Sequence, residues 1–95
     1  MAEPVSLPNP VKECFKAGRP ALGMLARLGR SGDIARLAKT TGHDFVMVDM
    51  QHAIFSLETV AHIAQTALGC GIAPVARVRS CDDQDTAVLL DNGIM

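Results

Sequence analysis

Residues 45–52 constrain the fold of this chain more than any other stretch. The first four, 45–48, are all apolar, which is typical of a strand buried on both faces in a parallel sheet covered by helices. A carboxylate at Asp49 and an imidazole at His52 follow directly. Parallel α/β folds carry their ligands and catalytic groups at this carboxyl end of the strands. The segment therefore predicts a buried strand that ends in a site, with His52 as a candidate general base.

Two further candidate strands alternate with helices along the chain. The apolar patterning predicts strands over residues 21–26, 45–49 and 74–78. Residues 1–9 contain two prolines and predict an extended lead-in, and a short helix follows to Gly18. This helix and three strand–helix units predict an α/β fold with a parallel sheet and right-handed crossovers.

Start and stop signals bound the three later helices. The first opens at residues 31–33, is expected to bury Ile34, Leu37 and Ala38, and ends at Gly42. Ser56 is predicted to cap the second, whose apolar residues recur at helical spacing until Gly69 and Gly71. The third is predicted to begin at the acidic pair 82–83 and to end at Gly93.

Length, charge and cysteine usage limit the classes of protein. The 95 residues form one domain at most, and nine basic against ten acidic residues leave a net charge of −1. No nucleic-acid or membrane partner is therefore expected. The three cysteines, Cys14, Cys70 and Cys81, form no CxxC pair, which favours a reducing, cytoplasmic location over a disulfide framework or a zinc site. We expect neither a secretory signal nor a membrane span.

Three further charged residues are candidates for the site, each with a structural alternative. Arg77 lies within an apolar strand, where a guanidinium needs a partner, and it could bind a carboxylate or an enolate. A structural ion pair with Asp49 or Asp91 is the alternative. Asp49 could merely cap the following turn. Asp91, near a helix end where the dipole opposes it, is either a partner for His52 or a solvated surface residue.

Five motifs in order give the chain a family resemblance. Residues 9–18 fit N-x-x-K-x-x-L-x-x-G, with Phe15 in place of the usual Leu, and residues 42–45 fit a G-F-D-like turn before a strand. Residues 49–53 fit D-x-E-H-[GA], with Gln51 in place of the common Glu. Residues 74–78 fit P-x-x-R-V, and residues 89–93 fit L-L-D-x-G. The chain resembles the N-terminal part of the class II, metal-dependent pyruvate aldolases, the 4-hydroxy-2-oxoheptanedioate aldolase group related to the citrate lyase β chain.

This resemblance implies both a fold and an activity. The fold is a (β/α)₈ TIM barrel of the phosphoenolpyruvate/pyruvate type, and residues 1–95 would supply the first three βα units of its single domain. The implied activity is that of a carbon–carbon lyase, which forms a metal-bound pyruvate enolate from small-molecule 2-oxo acid and aldehyde substrates. A divalent cation (Mg²⁺, Mn²⁺ or Co²⁺) and a homo-oligomer are implied as well.

The resemblance also implies roles for individual residues. His52 is the proton acceptor, Asp91 raises its basicity through the far ring nitrogen, and Arg77 stabilises the enolate. Asp49, near the metal and its waters, and Gln51 are given supporting roles. The metal-binding Glu and Asp of the family come from later strands, beyond Met95. We therefore expect this truncated chain to be inactive alone.

Two alternatives to an aldolase remain open from the sequence. The run ending at Asp49 is similar to the phospho-acceptor strand of a receiver-like signalling module, but residues 27–30 lack the acidic pair that such a module needs. The other alternative is a non-catalytic, truncated paralogue or subunit-binding fragment, whose open strand edges would favour self-association.

Overall fold

A computed structural model describes residues 7–95 and shows an α/β fold built on one parallel sheet. The predicted lead-in therefore lies largely outside the described residues. The elements in chain order are α1 (Pro10–Lys16), β1 (Gly23–Ala26), α2 (Asp33–Thr40), β2 (Phe45–Asp49), α3 (Leu57–Cys70), β3 (Ala73–Arg77) and α4 (Thr86–Asp91). The predicted helix followed by three strand–helix units is confirmed.

The three strands lie side by side in the order of the sequence, β1-β2-β3, and both pairs are parallel. A doubly wound sheet of the receiver type would place its first strand between the second and third. The consecutive order is instead that of a β/α barrel, in which each strand is added beside the preceding one. The register sets Asp49 directly beside Arg77 at the carboxyl ends of β2 and β3.

The core lies between the sheet and helices α2 and α3. Val46 and Val48 of β2 point into it and are fully buried, together with Val60 and Ile63 of α3. The opposite face of the sheet is only partly covered, since Phe45 and Met47 are half-buried and Leu25 of β1 is 51% exposed. The prediction that β2 is buried on both faces is therefore wrong for the second face, which no helix of the described residues covers.

The end of α1 is anchored at the amino end of the sheet through Asp44. The Asp44 carboxylate accepts the Leu22 amide at 2.9 Å and lies 3.9 Å from the Arg19 guanidinium. The Leu22 amide is the main cause that holds the pKa of Asp44 below its ordinary value. Burial raises the pKa of the Cys14 thiol, on the inner side of α1. These contacts tie the helix before the sheet to the start of β2.

Three details of the helices differ from the predictions. Leu37, predicted to be buried, is 52% exposed, whereas Ala38 is buried as predicted and Ala35 is buried as well, since small side chains let the helix lie close to the sheet. Gly69 lies inside α3, which ends only at Gly71 with a φ of 78°. The helix α4 begins at Thr86, because the Asp83 carboxylate accepts the Asp85 amide at 2.8 Å and holds residues 83–85 in a turn.

The chain leaves α4 at the amino end of the sheet. The Met95 amide donates to the Pro74 carbonyl at 2.8 Å, beside the start of β3. The segment after α4 therefore begins where a fourth parallel strand would lie. None of the helices in residues 7–95 is long and apolar enough to cross a membrane.

Candidate active site

The Asp49 carboxylate, at the carboxyl end of β2, is the one charged side chain that is fully buried in residues 7–95. Arg77 of β3 binds it with two parallel hydrogen bonds, from Nε to Oδ1 at 3.1 Å and from Nη2 to Oδ2 at 2.6 Å. Such bidentate pairs are among the strongest polar contacts in proteins. The structural alternative for Arg77, an ion pair with Asp49 or Asp91, is therefore confirmed with Asp49 as the partner, and the strand register explains it.

A second arginine completes the cluster from the other side. Arg27 directly follows β1, and its Nε lies 3.2 Å from Oδ2 of Asp49. Its Nη2 donates to the His52 carbonyl at 3.3 Å. Arg27 was not predicted as a site residue from the sequence. Its position one residue after a predicted strand was the available signal, because the carboxyl ends of parallel strands share one edge of the sheet.

Asp49 also shapes the turn that carries His52. Its Oδ1 accepts the backbone amides of Gln51 and His52, both at 3.0 Å. The interpretation of Asp49 as a cap for the following turn is thereby confirmed. The hydrogen bond from Arg77 is the main cause that holds the pKa of Asp49 far below its ordinary value, against the opposing effect of burial. The same bond raises the pKa of Arg77, so both groups are charged at neutral pH.

The side chains of Gln51 and His52 project from this turn and are exposed. His52 lines an open depression of about 500 Å³ together with Arg27, Leu28, Arg30, Ala53 and Ile54. Arg30 donates to the Ile54 carbonyl and lies with its Cζ 5.3 Å from the centre of the Phe55 ring. The imidazole is therefore accessible to a ligand and lies in a cationic surrounding.

Asp91 lies at the opposite end of the sheet from His52. It is the last residue of α4 and is exposed. The chain after it returns to the amino end of β3, whereas His52 follows the carboxyl end of β2. No hydrogen bond joins the two side chains in the part of the chain that the structure describes. Within one chain the fold therefore does not bring Asp91 to His52, because α4 runs back along the sheet, and the role of Asp91 stays a prediction.

The side chains of residues 7–95 do not fit a metal site. They include no group of three or more His, Cys, Asp or Glu residues placed to hold a metal ion. Both carboxylate oxygens of Asp49 are bound to arginine or amide donors. A hard divalent cation needs several oxygen ligands, which this edge of the sheet does not offer.

Comparisons with known proteins agree with the geometry, although no family model matches the chain. The 4-hydroxy-2-oxo-heptane-1,7-dioate aldolases of Salmonella dublin and Salmonella arizonae are 33% identical over 85 residues. That alignment spans 90% of this chain and 32% of each relative.

Two solved structures share the fold. The HpcH/HpaI aldolase of Desulfitobacterium hafniense superposes with a TM-score of 0.82 at 27% identity, over 88% of this chain and 32% of that protein. The citrate synthase SbnG gives a TM-score of 0.79 at 27% identity, over 88% of this chain and 34% of that protein. The barrel-type fold predicted from the sequence is thereby confirmed. By sequence and by fold, these similarities support the family of class II aldolases related to the citrate lyase β chain, and the chain spans about a third of the length of the relatives that it matches.

Proposed function

We propose that the protein is a carbon–carbon lyase that cleaves or forms 4-hydroxy-2-oxo acids through the enolate of pyruvate. Its homology to aldolases supports the reaction class. The observation that carries the proposal is the buried Asp49 carboxylate, which joins Arg77, Arg27 and the His52 amide at the carboxyl ends of the strands. This arrangement presents one accessible base beside two cations, as enolate formation requires.

His52 is the proposed base for proton transfer. In the direction of synthesis, the imidazole takes a proton from the carbon next to the keto group of the 2-oxo acid. The C–H electron pair then forms the enolate, whose carbon attacks the aldehyde carbonyl and makes the new carbon–carbon bond. The π electrons of that carbonyl move to its oxygen, which takes up the proton from the imidazolium and becomes the 4-hydroxyl group. Cleavage runs these steps in reverse. The His52 amide donates to Asp49 and the His52 carbonyl accepts from Arg27, and these two hydrogen bonds hold the backbone of His52 in place for this role.

Arg77 is proposed to stabilise the negative charge of the enolate oxygen. Its side chain is 41% exposed, and its Nε and one N–H of Nη2 are bound to Asp49. A guanidinium has five N–H donors, so others remain for a substrate oxygen. Because Asp49 fixes the guanidinium beforehand, little reorganisation is needed when charge develops on the substrate.

The remaining predicted residues take supporting roles. Asp49 orients Arg77 and the turn of His52, and Gln51 offers an exposed amide beside the imidazole. We keep Asp91 as the proposed partner of the far ring nitrogen of His52. Within one chain the two residues lie at opposite ends of the sheet, so the pair would have to form between two chains.

A divalent cation and the rest of the barrel belong to the proposal as well. The cation would need carboxylates other than those of residues 7–95, and no step above depends on it. We expect the 95 residues by themselves not to catalyse the reaction, and we expect the full-length protein to act as a cytoplasmic homo-oligomer on small-molecule 2-oxo acids and aldehydes.

A receiver-like module is not favoured. Its phospho-acceptor would have to be Asp49, and that carboxylate is fully buried and bound to two arginines. The consecutive strand order also differs from that of a receiver domain.

The reaction is tested by incubating the full-length protein with 4-hydroxy-2-oxopentanoate and measuring the release of pyruvate. We expect Arg77→Lys, which keeps the charge and loses the bidentate geometry, to lower kcat by about a hundredfold. The matched control is Arg79→Lys, an exposed arginine that pairs with Asp83 and Asp85; its kcat should stay within about twofold, as is usual for surface substitutions. Absence of pyruvate release, or equal losses in the two variants, would refute the proposal.

A further inference from the structure

The depression beside His52 contains two arginines, which are distinct from Arg77, the residue proposed to stabilise the enolate. Arg27 and Arg30 both line it, and Arg77 lies on the other side of Asp49. Within residues 7–95, Asp49 is the single carboxylate that pairs with Arg27 and Arg77, and no carboxylate forms an ion pair with Arg30. The cluster of Arg27, Arg30, Arg77 and Asp49 therefore has an excess of two positive charges.

Both arginines of the depression keep unused donors. Arg27 uses its Nε on Asp49 and one N–H of Nη2 on the His52 carbonyl. Arg30 uses one N–H of Nη1 on the Ile54 carbonyl, and its Cζ lies over the Phe55 ring, 5.3 Å from the ring centre. Each guanidinium has five N–H groups. Several therefore remain for a ligand, on side chains that are already held in position by other contacts.

Two large aliphatic side chains also line the depression. Leu28 is 88% exposed and Ile54 is 84% exposed, and both line the same space as the two arginines. Exposed branched side chains next to paired guanidinium groups fit a ligand that joins a short apolar chain to an anionic group.

The strand order separates this region from the enolate side of the site. Arg27 and Arg30 follow β1, His52 follows β2, and Arg77 belongs to β3. The base thus lies between two cationic regions. Arg77 serves the enolate on one side, which leaves the β1 side for a different part of the substrate.

We propose that Arg27 and Arg30 bind an anionic group, a carboxylate or a phosphate, at the far end of the aldehyde part of the substrate. This inference deepens the proposed function and rests on it for the identity of the substrate. The binding of the anion itself does not depend on turnover, and it is tested separately.

The experiment is a titration of the full-length protein, with the ¹⁵Nε–H signals of its arginines followed by NMR. The probes are butyrate, propyl phosphate and butyramide, which share a short alkyl chain and differ in charge and head group. We expect butyrate or propyl phosphate to shift the Arg27 and Arg30 signals saturably, and butyramide to leave them in place. The anion that binds more tightly identifies the head group.

Three variants make the titration specific. Arg30→Gln should weaken binding of the anion by about five- to tenfold, a modest factor because the site is open to solvent. Lys16→Gln removes the same charge from α1, which is anchored at the other end of the sheet, and should leave the affinity unchanged. Leu28→Glu adds a negative charge to the depression and leaves both arginines in the sequence. This variant should bind the anion at least fivefold more weakly than the neutral Leu28→Gln.

The outcomes separate this inference from the proposed function. Saturable anion binding that Arg30→Gln and Leu28→Glu weaken supports the site, even in a protein that shows no aldolase activity. Aldolase activity together with equal shifts by butyrate and butyramide overturns the site and leaves the reaction standing. Equal loss of affinity in Arg30→Gln and Lys16→Gln also overturns it, since the attraction would then be nonspecific.

Discussion

Asp49 stabilises the fold and organises the site through the same oxygens. Its carboxylate holds Arg27 and Arg77 from two neighbouring strands and accepts two amides of the turn before His52. A buried carboxylate is tolerated only when its charge and lone pairs are satisfied, and here they are. Loss of its charge should therefore disturb stability and geometry together.

Asp49→Asn tests this role. The amide keeps the shape of the side chain but offers one oxygen instead of two, and it leaves both guanidinium groups without a counter-charge. We expect the Tm to fall by roughly 10 °C, a large shift for a domain of this size. Asp82→Asn, at an exposed carboxylate that accepts the Ser80 hydroxyl, is the matched control and should change the Tm by about 2 °C or less. Equal shifts in thermal denaturation would contradict the account.

The pH dependence of stability follows from the same carboxylate. The pKa of Asp49 in the folded protein lies below its ordinary value of 3.8, mainly because of the Arg77 hydrogen bond, and the pKa of Asp44 is lowered as well. A lowered pKa means that the folded state holds its charged carboxylate more strongly than the unfolded state does. The resulting stabilisation is present above about pH 4 and is lost as the pH falls further.

We therefore expect the Tm of the protein to decline steeply below about pH 4. Asp49→Asn should show a shallower decline, with the remainder due to Asp44 and other carboxylates. Thermal denaturation between about pH 3 and pH 7 measures both slopes. Parallel curves for the two proteins would show that Asp49 is not the group that titrates.

Individual site residues were predictable from the sequence where a charged or polar residue stands within or directly after an apolar run. His52 and Asp49 stand at the end of an apolar run, and Arg77 is a charge inside another, so each needed an explanation. Arg27 did not stand out, because an arginine after a strand is common in a loop. Its contact with Asp49 depends on which strands are neighbours, and that information is absent from any local pattern.

At the scale of the elements, helix caps show how well the local sequence predicts where a helix begins. Ser56 was predicted to cap α3, and its hydroxyl oxygen accepts the Thr59 amide at 3.1 Å. The bounds of β2 were also predicted correctly, since its apolar run stops at a charge. The start of α4 was predicted too early, because Asp83 bonds to the amide of residue 85 and forms a turn there. Short polar side chains such as those of Asp and Ser can cap a helix or hold a turn, and the sequence alone does not decide between these two structures.

Ser56→Ala measures the contribution of the cap. Without the hydroxyl the Thr59 amide loses its acceptor, and we expect the free energy of unfolding to fall by about 1 kcal/mol. Ser80→Ala removes a hydroxyl that donates to the exposed Asp82 and should cost less than about 0.5 kcal/mol. Urea denaturation compares them, and a cost for Ser56→Ala no greater than that of the control would show that the cap does not stabilise α3.

At the scale of the whole molecule, one face of the sheet is only partly covered by residues 7–95. Leu25, Met47 and Val75 form a row across the three strands on that face, and Leu25 is half exposed. The run at 45–48 predicted burial on both faces, which a closed barrel would achieve and three strands do not. The apolar residues of a strand predict that both of its faces are buried in the complete fold. They do not show which part of the chain covers each face.

The 95 residues by themselves should therefore self-associate through this face or through the strand edges. Leu25→Lys places a charge in the middle of the row and should raise the monomer fraction at a given concentration. Leu37→Lys is the matched control, because Leu37 is exposed to the same extent on the outside of α2. Sedimentation equilibrium distinguishes them, and equal effects of the two variants would exclude the sheet face as the contact.

The most direct test of the central claim is the exchange of pyruvate methyl protons for deuterium, catalysed by the full-length protein in D₂O and followed by NMR. This reaction isolates enolate formation from the later bond-forming step. We predict that His52→Ala abolishes the exchange, whereas His62→Ala, at an exposed histidine of α3, exchanges at the rate of the unmodified protein. Exchange that persists in His52→Ala would contradict the assignment of His52 as the base.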